Sequence, residues 1–163
     1  MILIALGANL PSPVGEPVVT MRTALEKLAQ RGIKVEHLSP FYRTVAWPDH
    51  NDPPFVNAVA NVLTQFEPGP LLAALQDVER KFGRKPKVPN APRTLDLDII
   101  DYEGRIERGP PELPHPRINA RAFVLVPLAD VAPHWHHPVS RRTVSELIAA
   151  LPKDEEMPRK LTF

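Results

Sequence analysis

Apolar and polar positions along the chain follow two periods. Residues 2–6, Ile-Leu-Ile-Ala-Leu, form a short apolar run that predicts a central strand, closed by Gly7-Ala8-Asn9. Met21, Ala24, Leu25 and Leu28 recur at helical spacing, and Gly32 is a natural stop. Residues 33–46 read as one or two extended pieces broken near Pro40, and 47–54 as a polar, proline-rich loop. From Phe55 to Gln65 the period returns to two. Val56, Ala58, Ala60 and Val62 share a face suited to burial, while Phe55, Asn57, Val59 and Asn61 share a face expected to be partly wet or ligand-facing. Pro68–Pro70 open a second helix with Leu71, Leu75, Val78 and Phe82 as its buried stripe, ended by Gly83. Gln76 and Glu79 lie one turn apart on a neighbouring face.

A basic, proline-rich loop over 84–92 leads into a strand at 94–102. A short helical piece is expected near 117–130. Thr143-Val-Ser-Glu146 is a capping box that opens a last helix running to about Leu151. The element order predicts an α+β fold of βαββαβ type, a mostly antiparallel sheet with helices packed on it, in one domain over 1–163.

Composition narrows the function classes. Lys and Arg total 20 against 19 Asp and Glu, which disfavours gripping a nucleic-acid backbone by bulk charge. The absence of cysteine removes disulfides, zinc–thiolate sites and thiol nucleophiles. No apolar run approaches the roughly 20 residues needed to span a bilayer, and the first residues read as a strand, so a cytoplasmic protein is expected. Proline is the outlier, with 21 of 163 residues, clustered between the periodic segments. Loop prolines restrict the unfolded chain, and a heat-adapted source is the expectation that follows.

The candidate chemistry sits in Arg93-Thr94-Leu95-Asp96-Leu97-Asp98-Ile99. On a strand, Leu95, Leu97 and Ile99 point to one face, and Asp96 and Asp98 to the other. Two carboxylates about 6.6–6.8 Å apart along the backbone can lean onto a shared ion or ion pair. Magnesium suits such a set, because it takes one or two carboxylates and completes its shell with water and phosphate. The alternative is a solvated edge strand, although aspartate is disfavoured in strands. Arg84, Lys85, Lys87 and Arg93 surround the pair and could meet phosphate oxygens. Neither a GxxxxGK[ST] loop nor a GxGxxG turn is present, so ATP would not bind in a P-loop or a Rossmann crevice.

Ala91-Pro-Arg-Thr-Leu-Asp-Leu-Asp-Ile-Ile100 resembles the motif of the 6-hydroxymethyl-7,8-dihydropterin pyrophosphokinase family of folate synthesis. Leu6-Gly-Ala-Asn-Leu10, Ser39-Pro-Phe-Tyr-Arg-Thr44, Phe55-Val-Asn57, Gln76-x-x-Glu79 with Gly83-Arg84, Pro114-His115 and Arg121-Ala-Phe123 match further family segments in order. The resemblance runs from Ile2 to about Leu151. It implies a ferredoxin-like fold and transfer of the terminal pyrophosphoryl group of ATP to the pterin hydroxymethyl oxygen, with release of AMP. It implies two Mg²⁺ ions on Asp96 and Asp98, one bridging the α- and β-phosphates, the other bridging the β- and γ-phosphates and holding the hydroxyl.

By the same resemblance, Phe55 and Phe123 sandwich the pterin, Asn57 reads its edge, and Thr44, Val45 and Trp47 complete that pocket. Gln76, Glu79, Arg84, Arg93, Ile99, His115 and Arg121 fall on ATP-binding positions, and Arg84 and Arg93 join the two aspartates as catalytic candidates. A monomer is expected, with ATP and a pterin as partners and neither nucleic acid nor membrane.

Some positions depart from the family pattern. The 84–92 loop is one residue shorter than in the best-studied type. Pro89 stands where arginine is common and Asn90 where tryptophan can cover the site, leaving Lys85 or Lys87 as candidate replacements. Pro110 and Pro111 replace a basic neighbourhood, and Pro116 an aromatic. His134, His136 and His137 match a variable stretch and are expected on the surface, without metal. Two other readings stay open: a Mg²⁺-dependent phosphotransferase that leaves ADP, and a non-catalytic ferredoxin-like ligand-binding module.

Overall fold

A computed structural model describes residues 1–46, 48–84 and 92–163. Trp47 and residues 85–91, which include Lys85, Lys87, Pro89 and Asn90, lie outside the described residues. In chain order the elements are β1 (Ile2–Ala8), α1 (Pro17–Gln30), β2 (Lys34–Leu38), β3 (Tyr42–Thr44), β4 (Phe55–Leu63), α2 (Pro68–Lys81), β5 (Asp96–Tyr102), α3 (Ala122–Val131), α4 (Val144–Ala149) and β6 (Arg159–Lys160).

One antiparallel sheet runs β5-β1-β4-β3-β6, with β2 paired to the far end of β4. Helix α1 connects β1 to β2, and α2 connects β4 to β5. The core is therefore the expected βαββαβ arrangement, with its second strand split into β2 and β3 around Pro40. Strand β6 has no counterpart in the sequence reading. Two adjacent basic residues carry no periodic signal, and only pairing with β3 makes them a strand.

Both crossover helices start with proline in the first turn, where the missing N–H costs no helix bond. They pack on one face of the sheet. Met21, Ala24 and Leu28 of α1 and Leu71, Leu75 and Val78 of α2 meet Ile2, Ile4, Leu6, Ala58, Ala60 and Val62. Burying such side chains stabilises by about 1.5–3 kcal/mol each against leaving them in water. Helices α3 and α4 cover part of the other face, against Leu3, Val59 and Ile100.

That second layer changes one expectation at a single position. The face carrying Phe55, Asn57, Val59 and Asn61 is dry at Val59, which has no exposed surface. Phe55, Asn57 and Asn61 stay half-buried, and Asn61 accepts the Ile2 N–H through its side chain. The Thr143–Glu146 capping box is present in both directions. No helix among the described residues is long and apolar enough to cross a membrane.

A bulge in the pairing of β1 with β5 changes which way β5 faces. Leu6 pairs with Leu97 and Ile4 with Ile99, but Leu3 pairs with Asp101, so Ile100 is the extra residue. The alternation that puts Leu95, Leu97 and Ile99 on the α1–α2 side is thereby reset. Ile100 joins the α3–α4 cluster, and Asp101 accepts the indole N–H of Trp135 at 2.9 Å on that side.

His137 is a further correction. His134 and His136 are exposed, but His137 is buried. Its Nδ1 accepts the N–H groups of Val139 and Ser140 at 3.1 and 3.2 Å, and its ring stands edge-on to Trp135. Histidine spacing does not report this, because the partners are backbone groups of a turn. Burial pushes the imidazole below its ordinary pKa, against the pull of Asp101. The folded state thus disfavours the extra proton. The stability His137 confers is complete above the unfolded value of about 6.5 and is lost as pH falls below it. Melting curves from pH 8 to 5 should show His137→Phe losing less stability on acidification than the parent; parallel losses would reject the assignment.

Candidate active site

The site forms where the ends of β1, β4 and β5 lie side by side. Gly7 pairs with Asn57 of β4 on one edge and with Asp96 of β5 on the other. One turn of the pleat earlier, Ala5 pairs with Val59 and with Asp98. Cross-strand partners point to the same face, so Asn57 and the two aspartates share a face whose middle strand carries only glycine and alanine. The small residues are required. A Cβ on Gly7 would lie 2.8 Å from Asn57 Oδ1. The Asn57 amide lies across the space a side chain would fill, and its buried Nδ2 has no hydrogen-bond partner among the described residues.

Asp96 and Asp98 are half-buried, and their neighbours Leu95, Leu97 and Ile99 are buried on the other face. Alternation along the strand thus placed the aspartates correctly. Ion pairs join Arg84 to Asp96 and to Glu79, and Arg93 to Asp96 at 3.2 Å. Gly83 explains how Arg84 arrives there. It closes α2 with φ +85°, a conformation open to glycine but strained for other residues. The chain then turns back, the Arg84 N–H bonds Glu79 O, and the guanidinium passes beneath the start of β5.

Glu79 lies under that strand, with 5% of its surface exposed. Its Oε2 accepts the Leu97 N–H at 2.8 Å. Burial pushes its carboxyl up to about 7, opposed by the Leu97 N–H and Arg84 and reinforced by Asp96 and Asp98. Burial also works against the charge of Arg84, but Asp96, Glu79 and Asp98 outweigh it and raise its pKa.

The opposite rim is cationic. The His115 N–H bonds Ile100 O along the outer edge of β5, which sets the imidazole Nε2 3.9 Å from Asp98. Its Nδ1 accepts the Arg117 N–H. Arg121 caps the start of α3 and, with His115, Asp98 and Ala5, lines a small pocket. Burial lowers the Arg121 pKa, and Arg117 and Arg93 add to that, while Asp98 and Asp96 counter it. Arginine stays protonated regardless, so this is a charge that an anion would stabilise. Its guanidinium lies 5.4 Å from the Phe123 ring centre.

Other predicted residues are more dispersed. Phe55 and Phe123 are half-buried, Thr44 is half-buried at the end of β3, and Val45 is exposed. Gln76 is exposed on α2, whereas Ile99 is buried, so only its main chain can meet a ligand. Trp47 is outside the described residues.

Two residues of the Leu6-Gly-Ala-Asn-Leu10 segment had no role assigned from the sequence. Gly7 is one, and the close approach of Asn57 is its reason. Asn9 is the other. It is 3% exposed, its Nδ2 donates to Pro53 O at 3.0 Å, and its Oδ1 accepts the Arg93 N–H at 2.8 Å. One side chain thus ties the loop before Phe55 to the residue before the aspartate strand. A lone asparagine after a strand carries no pattern that could reveal this.

Among the described residues, no three His, Cys, Asp or Glu side chains converge as a metal cage. Two hard carboxylate donors on one strand face fit Mg²⁺, which leaves positions for water and phosphate, and do not fit a closed structural site.

Comparison with known proteins shows the family. Residues 3–133 match the family model described as 7,8-dihydro-6-hydroxymethylpterin-pyrophosphokinase (HPPK). The chain belongs to the HPPK family. It is similar to the 2-amino-4-hydroxy-6-hydroxymethyldihydropteridine pyrophosphokinase of Pseudomonas aeruginosa, with 39% identity over 93% of this chain and 91% of that one. The corresponding Synechocystis enzyme is 38% identical over 90% of this chain and 73% of its own length. The crystal structure of Plasmodium falciparum HPPK-DHPS with pteroate superposes with a TM-score of 0.70 over 91% of this chain, at 14% identity. That likeness shows the fold, and the chain spans 43% of that longer protein. The family's reaction is pyrophosphoryl transfer from ATP to hydroxymethyldihydropterin in folate synthesis, with ATP as co-substrate.

Two substitutions test the geometry. Gly7→Ala should leave the fold intact but displace the Asn57 amide, weakening pterin binding by about tenfold in calorimetry; unchanged affinity would contradict the close approach. Glu79→Gln tests the buried carboxyl. A folded pKa of about 7 against 4.5 means that stability is full below 4.5 and is lost as pH rises through 7. Without added divalent cation, the parent should lose on the order of 1–3 kcal/mol relative to Glu79→Gln between pH 4.5 and 8. A constant difference would reject the raised pKa.

Proposed function

We propose that the chain, as one pyrophosphokinase domain, transfers the pyrophosphoryl group of ATP to the hydroxymethyl oxygen of 6-hydroxymethyl-7,8-dihydropterin, releasing AMP and the pterin diphosphate. The row Asn57–Gly7–Asp96 across three strands carries this reading, because it sets a buried, unpartnered amide donor beside a carboxylate pair. Strands spaced about 4.8 Å apart put the two side chains' backbones about 10 Å apart, the span of a small heterocycle and its substituent.

Asn57 and the main chain around Thr44 and Val45 read the polar edge of the pterin, and Phe55 and Phe123 stack on its faces. The triphosphate lies toward the cationic rim, where Arg121 and His115 meet its oxygens, with Arg93 and Arg84 on the near side. Asp96 and Asp98 would hold two Mg²⁺ ions, which when bound would supply Lewis-acid polarisation of the phosphate oxygens and the attacking hydroxyl. This chain's own contribution is orientation. The hydroxymethyl oxygen is aligned with the β-phosphorus for in-line attack, and AMP departs from the far side.

Asp96 is paired with Arg84 and Arg93. Those arginines stabilise the carboxylate until cation and phosphates arrive, and Arg84 and Arg93 then exchange a carboxylate partner for phosphate oxygens. Glu79 anchors Arg84 and the Leu97 N–H from below rather than facing the nucleotide.

Incubation with MgATP and the hydroxymethyl dihydropterin should yield AMP. Formation of ADP would instead favour single phosphoryl transfer. Asp96→Asn and Asp98→Asn should each lower kcat by about 100-fold or more, equivalent to about 2.7 kcal/mol of barrier. Near-parental turnover in either would overturn the metal assignment.

A further inference from the structure

The chain beyond α4 ends in a segment whose place in the sheet bears on the pterin side of the site. Strand β3 is only three residues long. One of its edges pairs with β4, placing Tyr42 opposite Asn57 and Thr44 opposite Phe55. Its other edge is covered by β6, with Tyr42 opposite Lys160 and Arg43 opposite Arg159. The Leu161 N–H donates to Phe41 O at 2.8 Å, just before β3 begins. Pro158 is buried, and Leu161 packs against the main core cluster. The Arg22 guanidinium lies 5.4 Å from the Phe41 ring and 5.2 Å from that of Phe163, so α1 holds both ends of the contact. The family match stops at residue 133, and this segment lies outside it.

We infer that Pro158–Leu161 is a positioning element for pterin recognition. It rests on the reading proposed above, since it acts through residues assigned there. A three-residue strand with a bare edge would fray, because few hydrogen bonds offset the entropy of ordering it. Covering that edge turns β3 into an internal strand and fixes the direction in which Thr44 and Val45 leave the sheet. The segment touches neither the aspartate strand nor the cationic rim among its described pairings. Its effect therefore falls on the pterin and spares ATP.

The test compares the parent, a chain ending at Met157, and the milder Leu161→Ala. Amide exchange at Tyr42–Thr44 is followed together with KM for each substrate, kcat and the melting midpoint. The shortened chain should exchange the β3 amides faster and raise the pterin KM by about tenfold, with the ATP KM and kcat within about twofold. Leu161→Ala should move the same quantities in the same direction by less. It decides the matter alone if the shortened chain does not fold. Unchanged β3 exchange and pterin KM would overturn the inference. So would equal losses for both substrates tracking a fall in melting midpoint, the mark of a purely structural role. A parent that makes no AMP from the pterin would instead overturn the functional reading, and the exchange measurement would still report whether the tail orders β3.

Discussion

Strand β1 is hydrogen-bonded along both edges, to β4 on one side and β5 on the other, and this pairing places every central group of the site. The register is set by burial. Ile2, Ile4 and Leu6 must face α1 and α2, and a slip of one residue would expose them all. The same register turns Ala5 and Gly7 toward the other face, between Asn57 and Val59 on one flank and Asp96 and Asp98 on the other. Hydrophobic burial on one side of the sheet thereby sets the spacing of polar groups on the other. Smallness at Gly7 is part of the constraint, because a methyl group there would meet the Asn57 amide.

Carboxylates at a sheet surface repel each other unless cations compensate them, and this protein compensates them from beneath. Arg84, almost fully buried, pairs with both Asp96 and Glu79, and Glu79 also takes the Leu97 N–H. Removing one member of such a group leaves a buried charge uncompensated, which costs more than the intact pair contributes. The network therefore serves the geometry of β5 more than global stability. It holds Asp96 in place. On the α3 side, Asp98 faces the Arg121 guanidinium and the His115 imidazole. The two sides leave the aspartates between opposed cations, the environment a polyphosphate with bound magnesium requires.

The residues proposed for pterin and for nucleotide sit on different supports. The proposed nucleotide side rests on β5, the end of α2 and the start of α3. The proposed pterin side rests on the Phe55–Asn57 end of β4, on Phe123 of α3 and on β3, a short strand held by its neighbours. Asn9 connects the two through Pro53 and Arg93, and β6 covers the outer edge. Tyr42 adds a third tie, its hydroxyl donating to Asp130 of α3. That bond and burial push its phenol up to about 12.

Much of the fold was legible in the sequence because its signals are local. Apolar alternation located β4 and β5, helical spacing with Gly ends located α1 and α2, with Pro68–Pro70 marking the start of α2, and Thr143 to Glu146 announced α4. Asp96 and Asp98 on one face followed from a period of two, and the ordered motifs pointed to the family that the comparisons establish. What escaped was whatever depends on a distant partner. Strand β6 exists only because β3 offers an edge. His137 is buried because turn amides and Trp135 enclose it. The dry centre of the β4 face needs α3 on top, and the roles of Asn9 and Gly7 arise from loops and strands brought together from 44 to 84 positions away for Asn9 and from the opposite strand for Gly7. Sequence alone determined the periodic elements and the candidate chemistry they carry, because backbone periodicity and side-chain type are properties of short segments. Only the tertiary structure decided which polar groups are buried, what pairs with Asp96 and which residues hold the pterin side in place, because those depend on contacts that chain order does not contain.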